Sequence, residues 1–503
     1  MIRAIYLLIS YFCMKNLVLY HLYHLLMFDW SSPISLIFHI VYFTMVLGTV
    51  VMVILDNRHP VKTLAWMMVL VFLPVLGLLL YFFFGQSVRK ERIISKRSFV
   101  TIARKPLRGF WRKPPLDFPP ESLSLATLFR RMNRSMPFGE NLTTIYTQGQ
   151  PMVDALLQAI HSATHHIHLE YYIIEDDEVG QALSDALIHK ARQGVVVRLM
   201  YDDVGCWRVK ERFFRRMREQ GVLVEPFLKV HFPILSRRMN YRNHRKLAII
   251  DGQIGFIGGM NLARRYVQGV SWGTWRDTTL RIEGPAVQGL QTVFLMDWNF
   301  VTRQLIHDDA YFPSIHGKGH SHIQIVTSKP VGRWREIMQG YLHAISGARR
   351  YIYIQTPYFM PTEQILTALQ TAALSGVDVR IMLPWKGDSR VVQMCSRSYL
   401  RDVMEAGVKV LFYQPGFLHA KTMVIDDTLS TIGSTNIDFR SFEYNFEVNA
   451  FMYDPSTALR LKEIFLADQA QCTYISSQRW ARRSSASPGT RPEQQRFFPL
   501  NRP

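Results

Sequence analysis

The sequence predicts an α/β fold of two similar halves about a pseudo-twofold axis, preceded by two transmembrane helices. Three observations predict it. Two N-terminal runs, Ile34–Leu55 and Thr63–Phe84, carry no charge over 22 residues each, and a helix needs roughly 20 apolar residues to cross a bilayer. Beyond residue 140 the chain repeats itself in order. Within each repeat, short β-branched runs alternate with amphipathic stretches, which is the pattern of strands with helices on the faces of their sheet.

Residues 1–33 form an apolar segment interrupted by Lys15, His21 and His24. It reads as a third span, an interfacial helix, or sequence upstream of a true start at Met27, and the last reading is favoured. No small-residue cleavage site follows it, which argues against a cleaved signal peptide. Residues 34–85 hold the two predicted spans, joined by "DNRHPVK". Pro74 and Gly77 fall within the second, and membrane helices tolerate both. Two buried core helices are the competing reading.

Residues 86–124 form a basic linker. Arg89, Lys90, Arg92, Lys96, Arg97, Arg104, Lys105, Arg108, Arg112 and Lys113 are opposed only by Glu91 between Val88 and Pro114. The positive-inside rule then places the long C-terminal part in the cytoplasm and the "DNRHPVK" turn outside. The same collar suits anionic lipid headgroups. A net charge of +20 points to a polyanionic partner, a membrane surface or nucleic acid. Cys13, Cys206, Cys395 and Cys472 have no metal spacing and form no disulfide framework.

The halves are expected at 125–310 and 311–478, with an Arg-, Ser- and Pro-rich tail at 479–503. "ATHHIHLEYYII" (163–174) parallels "ARRYIYIQTPYF" (348–359), and "KARQGVVVRLM" (190–200) parallels "AALSGVDVRIM" (372–382). "REQGVLV" (218–224) parallels "MEAGVKV" (404–410). Each half then reaches a His-x-Lys segment: "NHRKLAIID" (243–251) and "LHAKTMVID" (418–426). A pseudo-twofold axis would bring both segments to one cleft.

Alternate side chains of a strand share a face, so His244 points with Lys246 and His419 with Lys421. Asp251 and Asp426 have the opposite parity and lie at the strand end, where they suit holding structure more than touching substrate. "GFIGGMN" and "STIGSTN" follow, ending at Asn261 and Asn436. Gly258, Gly259 and Gly433 allow close backbone approach, and the two amides can donate to an anion. Two histidines, two lysines and two asparagines suit a phosphodiester. One imidazole attacks phosphorus, the other protonates the leaving alkoxide, and lysines and amides stabilise the equatorial oxygens. The scheme needs neither metal nor cofactor. A nucleophilic imidazole must be neutral and held by a carboxylate on its other nitrogen. Asp277 in "TWRDTTL" and Glu447 in "YNFEVN" are the candidates.

These residues resemble the phospholipase D superfamily, whose signature of His-x-Lys-x4-Asp, a Gly/Ser-rich segment and Asn occurs twice in one chain. "RHPVKTLAWMMVLVFLPVLGLLLYFFFG", "NYRNHRKLAIIDG", "TPYFMPTEQILTAL" and "GFLHAKTMVIDD" are similar to bacterial cardiolipin synthases within it. The resemblance implies two phospholipase D-type halves in a multi-pass protein of the bacterial inner membrane. It also implies transfer of a phosphatidyl group from one phosphatidylglycerol to another, giving cardiolipin and glycerol. His244, Lys246, Asp251, His419, Lys421 and Asp426 would form the catalytic set, with His244 the nucleophile and His419 the acid and base. Phosphatidylglycerol and anionic lipids are the expected partners, and membrane anchoring favours them over nucleic acid. Hydrolysis, another acceptor such as serine, a superfamily nuclease and a degenerate scaffold are the alternatives. One departure stands out: Gly259 occupies the place of Ser434 and could make the halves unequal.

Overall fold

The computed structural model describes residues 33–56, 60–81, 120–230, 240–315 and 317–484. The N-terminal 32 residues, most of the basic linker and the tail beyond Ser484 lie outside them, as do the expectations placed there. The chain divides into two compact units, Met1–Glu91 with His231–Arg237, and Arg92–Val230 with Arg238–Pro503.

In the first unit the expected pair of membrane spans is not found. Among the described residues no helix is long and apolar enough to cross a membrane. The first run lies in helix Pro33–Asp56. Its Thr44 and Thr49 hydroxyls donate back to the carbonyls of Ile40 and Met45. The second run is divided. Helix Pro60–Phe72 stops after 13 residues, and Pro74–Leu80 adds only seven. Leu73, at φ −129° and ψ 70°, has left the helical region, as the residue before a proline is driven to do. Pro74 then starts a new helix at the position proline favours. Val53, Leu70 and Tyr81 pack together, with Trp66 set edge-on to Tyr81. The expected membrane embedding, multi-pass topology and cytoplasmic orientation lose the hairpin they rested on.

The second unit is an α/β sheet in two repeats. The first contributes β1 (Pro137–Tyr146), β2 (His166–Tyr171), β3 (Val196–Asp202), β4 (Leu223–Phe227), β5 (Arg242–Asn243), β6 (Lys246–Ile250), β7 (Ile254–Gly258), β8 (Thr274–Arg276) and β9 (Thr279–Glu283). The second contributes β10 (Ser321–Ser328), β11 (Tyr351–Gln355), β12 (Phe359–Met360), β13 (Asp378–Pro384), β14 (Lys409–Tyr413) and β15 (Gly416–Leu418). It continues with β16 (Thr422–Ile425), β17 (Leu429–Gly433), β18 (Ile437–Asp438), β19 (Asn445–Met452) and β20 (Cys472–Tyr474). The strand order β4-β3-β2-β6-β7-β9-β1 meets β10-β19-β17-β16-β11-β13-β14-β20. Read outwards from the β1–β10 seam, the two orders match strand for strand until β20. β1 joins the two sheets. Pro137 and Phe138 pair with β10, Leu142–Tyr146 pair with β9, and the register shifts between them, where Glu140 takes φ 60°.

Helices cover both faces. On the outer face of the first repeat, helices Gly149–Ser162, Glu178–Arg192 and Glu211–Glu219 bury Leu156, Leu187 and Phe214 against Leu169 and Val197. The inner core is shared. Leu247, Ile257 and Leu280 of the first repeat join Ile432, Val448 and Ala450 of the second in one buried cluster.

Candidate active site

The two His-x-Lys segments enter the sheet in the same way. Each follows a short strand that pairs with the other repeat. β5 lies parallel to the start of β19, with Asn243 opposite Phe446, and the His244 N–H donates to the Phe446 carbonyl at 2.9 Å. β15 lies parallel to β8, with Leu418 opposite Arg276, and the His419 N–H donates to the Arg276 carbonyl at 2.7 Å. In each case the next residue on the opposing strand is the candidate carboxylate.

The carboxylates are therefore exchanged between repeats. His244 Nδ1 lies 3.0 Å from both oxygens of Glu447. His419 Nδ1 lies 2.6 Å from Asp277 Oδ2. Each imidazole is tethered at Nδ1 by the other repeat, which leaves Nε2 for chemistry. The carboxylates are braced differently. Glu447 accepts from the Ser434 hydroxyl at 2.5 Å and from Asn445 Nδ2 at 3.0 Å. Asp277 accepts from the Thr278 N–H at 2.7 Å. The Gly259/Ser434 difference follows from this: a Cβ on Gly259 would stand 2.1 Å from Asp277 Oδ1, so the shorter acid sits where a serine has no room.

Both histidines are almost fully buried, at 9% and 7% exposure. Burial pulls His244 down to about 4, with Lys246 adding to the effect and Glu447 opposing it. Burial and the neighbouring Lys421 pull His419 down to about 3 against Asp277. Burial pushes Glu447 up, but His244, Lys246 and Ser434 outweigh it and hold the carboxyl below its usual range. For Asp277, Lys421 and His419 likewise outweigh burial. Burial thus favours the neutral form of both imidazoles, each held by a carboxylate.

Lys246 and Lys421 are buried beside their histidines, and burial lowers both ammonium groups, Lys421 to about 8. Each folds back onto its motif, donating to the carbonyl of His244 or of His419. Lys421 Nζ also lies 2.8 Å from His419 Nδ1. Asn261 is engaged twice, accepting from the Ile173 N–H at 3.0 Å and donating to the Tyr266 hydroxyl at 2.6 Å. Asn436 hydrogen-bonds to Asp438, and its Oδ1 is buried without a partner.

Asp251 and Asp426 stand away from the imidazoles. Asp251 accepts from the N–H groups of Thr164, His165 and His166 at 2.7–2.9 Å, just where β2 begins. Asp426 accepts from Arg349, Arg350 and Tyr351 at 2.6–2.9 Å, just where β11 begins. Both take left-handed backbone, φ 52° and 53°, in the tight turns joining β6 to β7 and β16 to β17.

Sequence reasoning missed the aromatic wall. Tyr172 meets His244 edge-on at 4.9 Å between ring centres. Trp275, Phe417 and Tyr266 lie 5.4, 5.5 and 6.0 Å from His419. Tyr358 lies 6.4 Å from His419. Tyr172 and Tyr358 sit one and three residues past strands β2 and β11, at neighbouring rather than equivalent places in the aligned repeats, so the alignment did not single them out.

Comparisons with known proteins identify the family. A family model described as "Cardiolipin synthase, PLD-like domain" matches residues 156–298 and 341–469, one stretch in each repeat. A second, described as "Phospholipase D-nuclease N-terminal", matches residues 44–86. The chain is 40% identical over 435 residues to a cardiolipin synthase of Geobacillus sp. (strain WCH70), covering 85% of this chain and 87% of that one. It is 39% identical over 446 residues to a cardiolipin synthase of Listeria monocytogenes serotype 4a (strain HCC23), covering 86% and 92%. Among solved structures, a phosphatidylserine synthase of Haemophilus influenzae Rd KW20 shares the fold. Its TM-score is 0.52 at 12% identity, over 70% of this chain and 92% of that one. The chain belongs to the cardiolipin synthase family, with its paired phospholipase D-like domains.

Proposed function

We propose that this protein makes cardiolipin by moving a phosphatidyl group from one phosphatidylglycerol to the hydroxyl of another, with release of glycerol. The observation that carries the reading is the exchanged pair of tethers, His244–Glu447 and His419–Asp277, in a chain of this family. In the first step neutral His244 attacks phosphorus through Nε2, and the P–O bond to glycerol breaks. His419, protonated when the anionic phosphodiester binds beside it, gives its proton to the departing oxygen. In the second step the now neutral His419 takes the proton of the acceptor hydroxyl. That oxygen attacks phosphorus, the P–N bond breaks, and His244 is neutral again. Lys246, Lys421 and Asn436 are assigned to the phosphate oxygens, and the aromatic wall to keeping water from the intermediate.

The test is turnover of phosphatidylglycerol labelled in its phosphate. The expected products are cardiolipin and glycerol in equal amounts, with transient label on His244. His244→Ala should remove both label and product. His419→Ala should slow labelling by about 10²–10⁴-fold, the usual worth of an acid–base group. Phosphatidic acid as the sole lipid product would make the protein a hydrolase, and full activity in His419→Ala would end the two-histidine scheme.

A further inference from the structure

Two buried arginines lie directly behind the tethering carboxylates. Arg245, the central residue of the first His-x-Lys, donates through Nε to the Glu447 carbonyl at 3.1 Å. Its Nη1 is paired with Asp297, and its Nη2 reaches the Ser328 carbonyl. Arg276, just before Asp277, donates through Nη1 to the Asp277 carbonyl at 2.7 Å. Its Nε and Nη2 form a two-pronged pair with Asp468 at 3.3 and 2.8 Å. All four residues are buried, none more than 7% exposed.

The two aspartates are counterparts. Each closes the segment "FLMD" (294–297) or "FLAD" (465–468) in the long helix that follows β9 or β19, Val287–Thr302 or Pro455–Gln469. The arginines are not counterparts. Arg245 corresponds to Ala420 in the second motif. Arg276, opposite Leu418 in the β8–β15 ladder, corresponds to Phe446, opposite Asn243 in the β5–β19 ladder. The Arg245 guanidinium lies 5.6 Å from the centre of the Phe446 ring. One side of the site thus draws its arginine from the motif and has Phe on the opposing strand. The other draws its arginine from the strand and has Ala in the motif.

We propose that Arg245 and Arg276 are equivalent positioning residues. Each is pinned by its helix aspartate and fixes the backbone of the carboxylate residue that holds the opposite histidine. The guanidinium has changed chains of attachment between the repeats while keeping its place and its work. Neither arginine touches the reacting atoms. Their contribution is to hold Glu447 and Asp277 at hydrogen-bond range of Nδ1 in a site assembled from both repeats. A planar fork with several donors suits three fixed acceptors in a way an ammonium does not. This inference rests on the reading of the two carboxylates as the histidines' tethers.

The test uses the intact chain. Arg245→Ala should lose at least 100-fold in cardiolipin formation. Adding Phe446→Arg should rebuild on the first side the arrangement seen on the second, and restore at least tenfold of that loss. Arg245→Lys should fall between wild type and Arg245→Ala. Because Arg245→Ala strands Asp297 and can impair folding, Arg245→Met with Asp297→Leu is the second probe. Exchange of a buried ion pair for apolar residues of similar volume is often tolerated for stability. With Glu447 no longer fixed against His244, the acid limb of kcat/KM in this folded variant should move down by at least half a pH unit. An unmoved limb with only reduced amplitude would show a purely structural role and overturn the proposal. A double swap no better than Arg245→Ala would also overturn it. Glu447→Gln separates the two levels: a normal rate in that variant removes the tether reading itself, whereas a large loss there with a failed swap removes only the arginines' role.

Discussion

Four histidines of the catalytic unit, His166, His168, His244 and His419, are buried, and burial lowers the basicity of all four. For the two at the site the consequence for stability has a definite sign. An unfolded histidine takes up a proton below about 6.5, whereas folded His244 resists protonation down to about 4 and His419 down to about 3. Between those limits the unfolded state binds more protons, so stability rises with pH across the window. The contribution is complete above about pH 6.5 and is lost as pH falls towards 4 and 3. The urea midpoint should therefore drop between pH 6.5 and 4.5, and His244→Gln should make that dependence shallower by about one proton. An unchanged dependence in the variant would mean that His244 is not buried in its neutral form. The wider lesson at this scale lies in Gly259 and Ser434. Their difference was visible as a departure between two similar motifs, but its meaning depended on the acid each one touches. Asp277 needs a glycine beside it, and the longer Glu447 uses a serine hydroxyl.

At the scale of single elements, the aspartate at the end of each motif works on backbone rather than on substrate. Asp251 gathers three consecutive N–H groups at the entry to β2, and its own left-handed conformation, followed by Gly252 at φ 65°, turns β6 into β7. The Gln253 N–H closes this three-residue turn by donating to the Ile250 carbonyl at 3.0 Å. Asp251→Ala should then lower unfolding free energy by about 1.5–3 kcal/mol, the usual worth of hydrogen bonding to a charged acceptor. Asp251→Asn, which keeps an acceptor and tolerates the left-handed region, should cost less. Equal denaturant midpoints for wild type and Asp251→Ala would refute the capping role. The two-residue strand β5 and the three-residue β15 are the other decisive elements. They are too short to be recognised by alternation, yet their pairing with β19 and β8 carries each histidine to the opposite repeat's acid. Pro74 shows the converse case, a local signal strong enough to divide an apolar run that hydropathy alone treats as continuous.

For the whole molecule, the matched strand orders on either side of the β1–β10 seam make the site nearly symmetric in construction. Each half supplies one imidazole and one carboxylate, so donor and acceptor alcohols meet similar surroundings. A site of that kind exchanges one alcohol for another in both directions. Excess glycerol added to the purified protein with cardiolipin should therefore regenerate phosphatidylglycerol, measured as labelled glycerol entering lipid, and His244→Ala should abolish the incorporation. Absence of exchange in an active preparation would mean that the intermediate is closed to small alcohols.

The amino-acid order by itself determined the duplication, the two His-x-Lys segments with their trailing Asp and Asn, and the two acids able to serve the histidines. These are local or repeated patterns, and a repeat can be read without knowing how its copies meet. The family followed from them, because the chemistry is concentrated in those few residues. Which acid serves which histidine was decided only by the tertiary structure. Glu447 lies 28 residues past His419 but hydrogen-bonds to His244, 203 positions away. Asp277 lies 33 residues past His244 but holds His419, 142 positions away. Sequence distance favours the nearer partner, whereas the β5–β19 and β8–β15 pairings cross between the repeats and reverse it. The arginines were hidden for the same reason. Arg245 and Arg276 occupy non-equivalent places in the repeats, and only the shared core brings each to equivalent work.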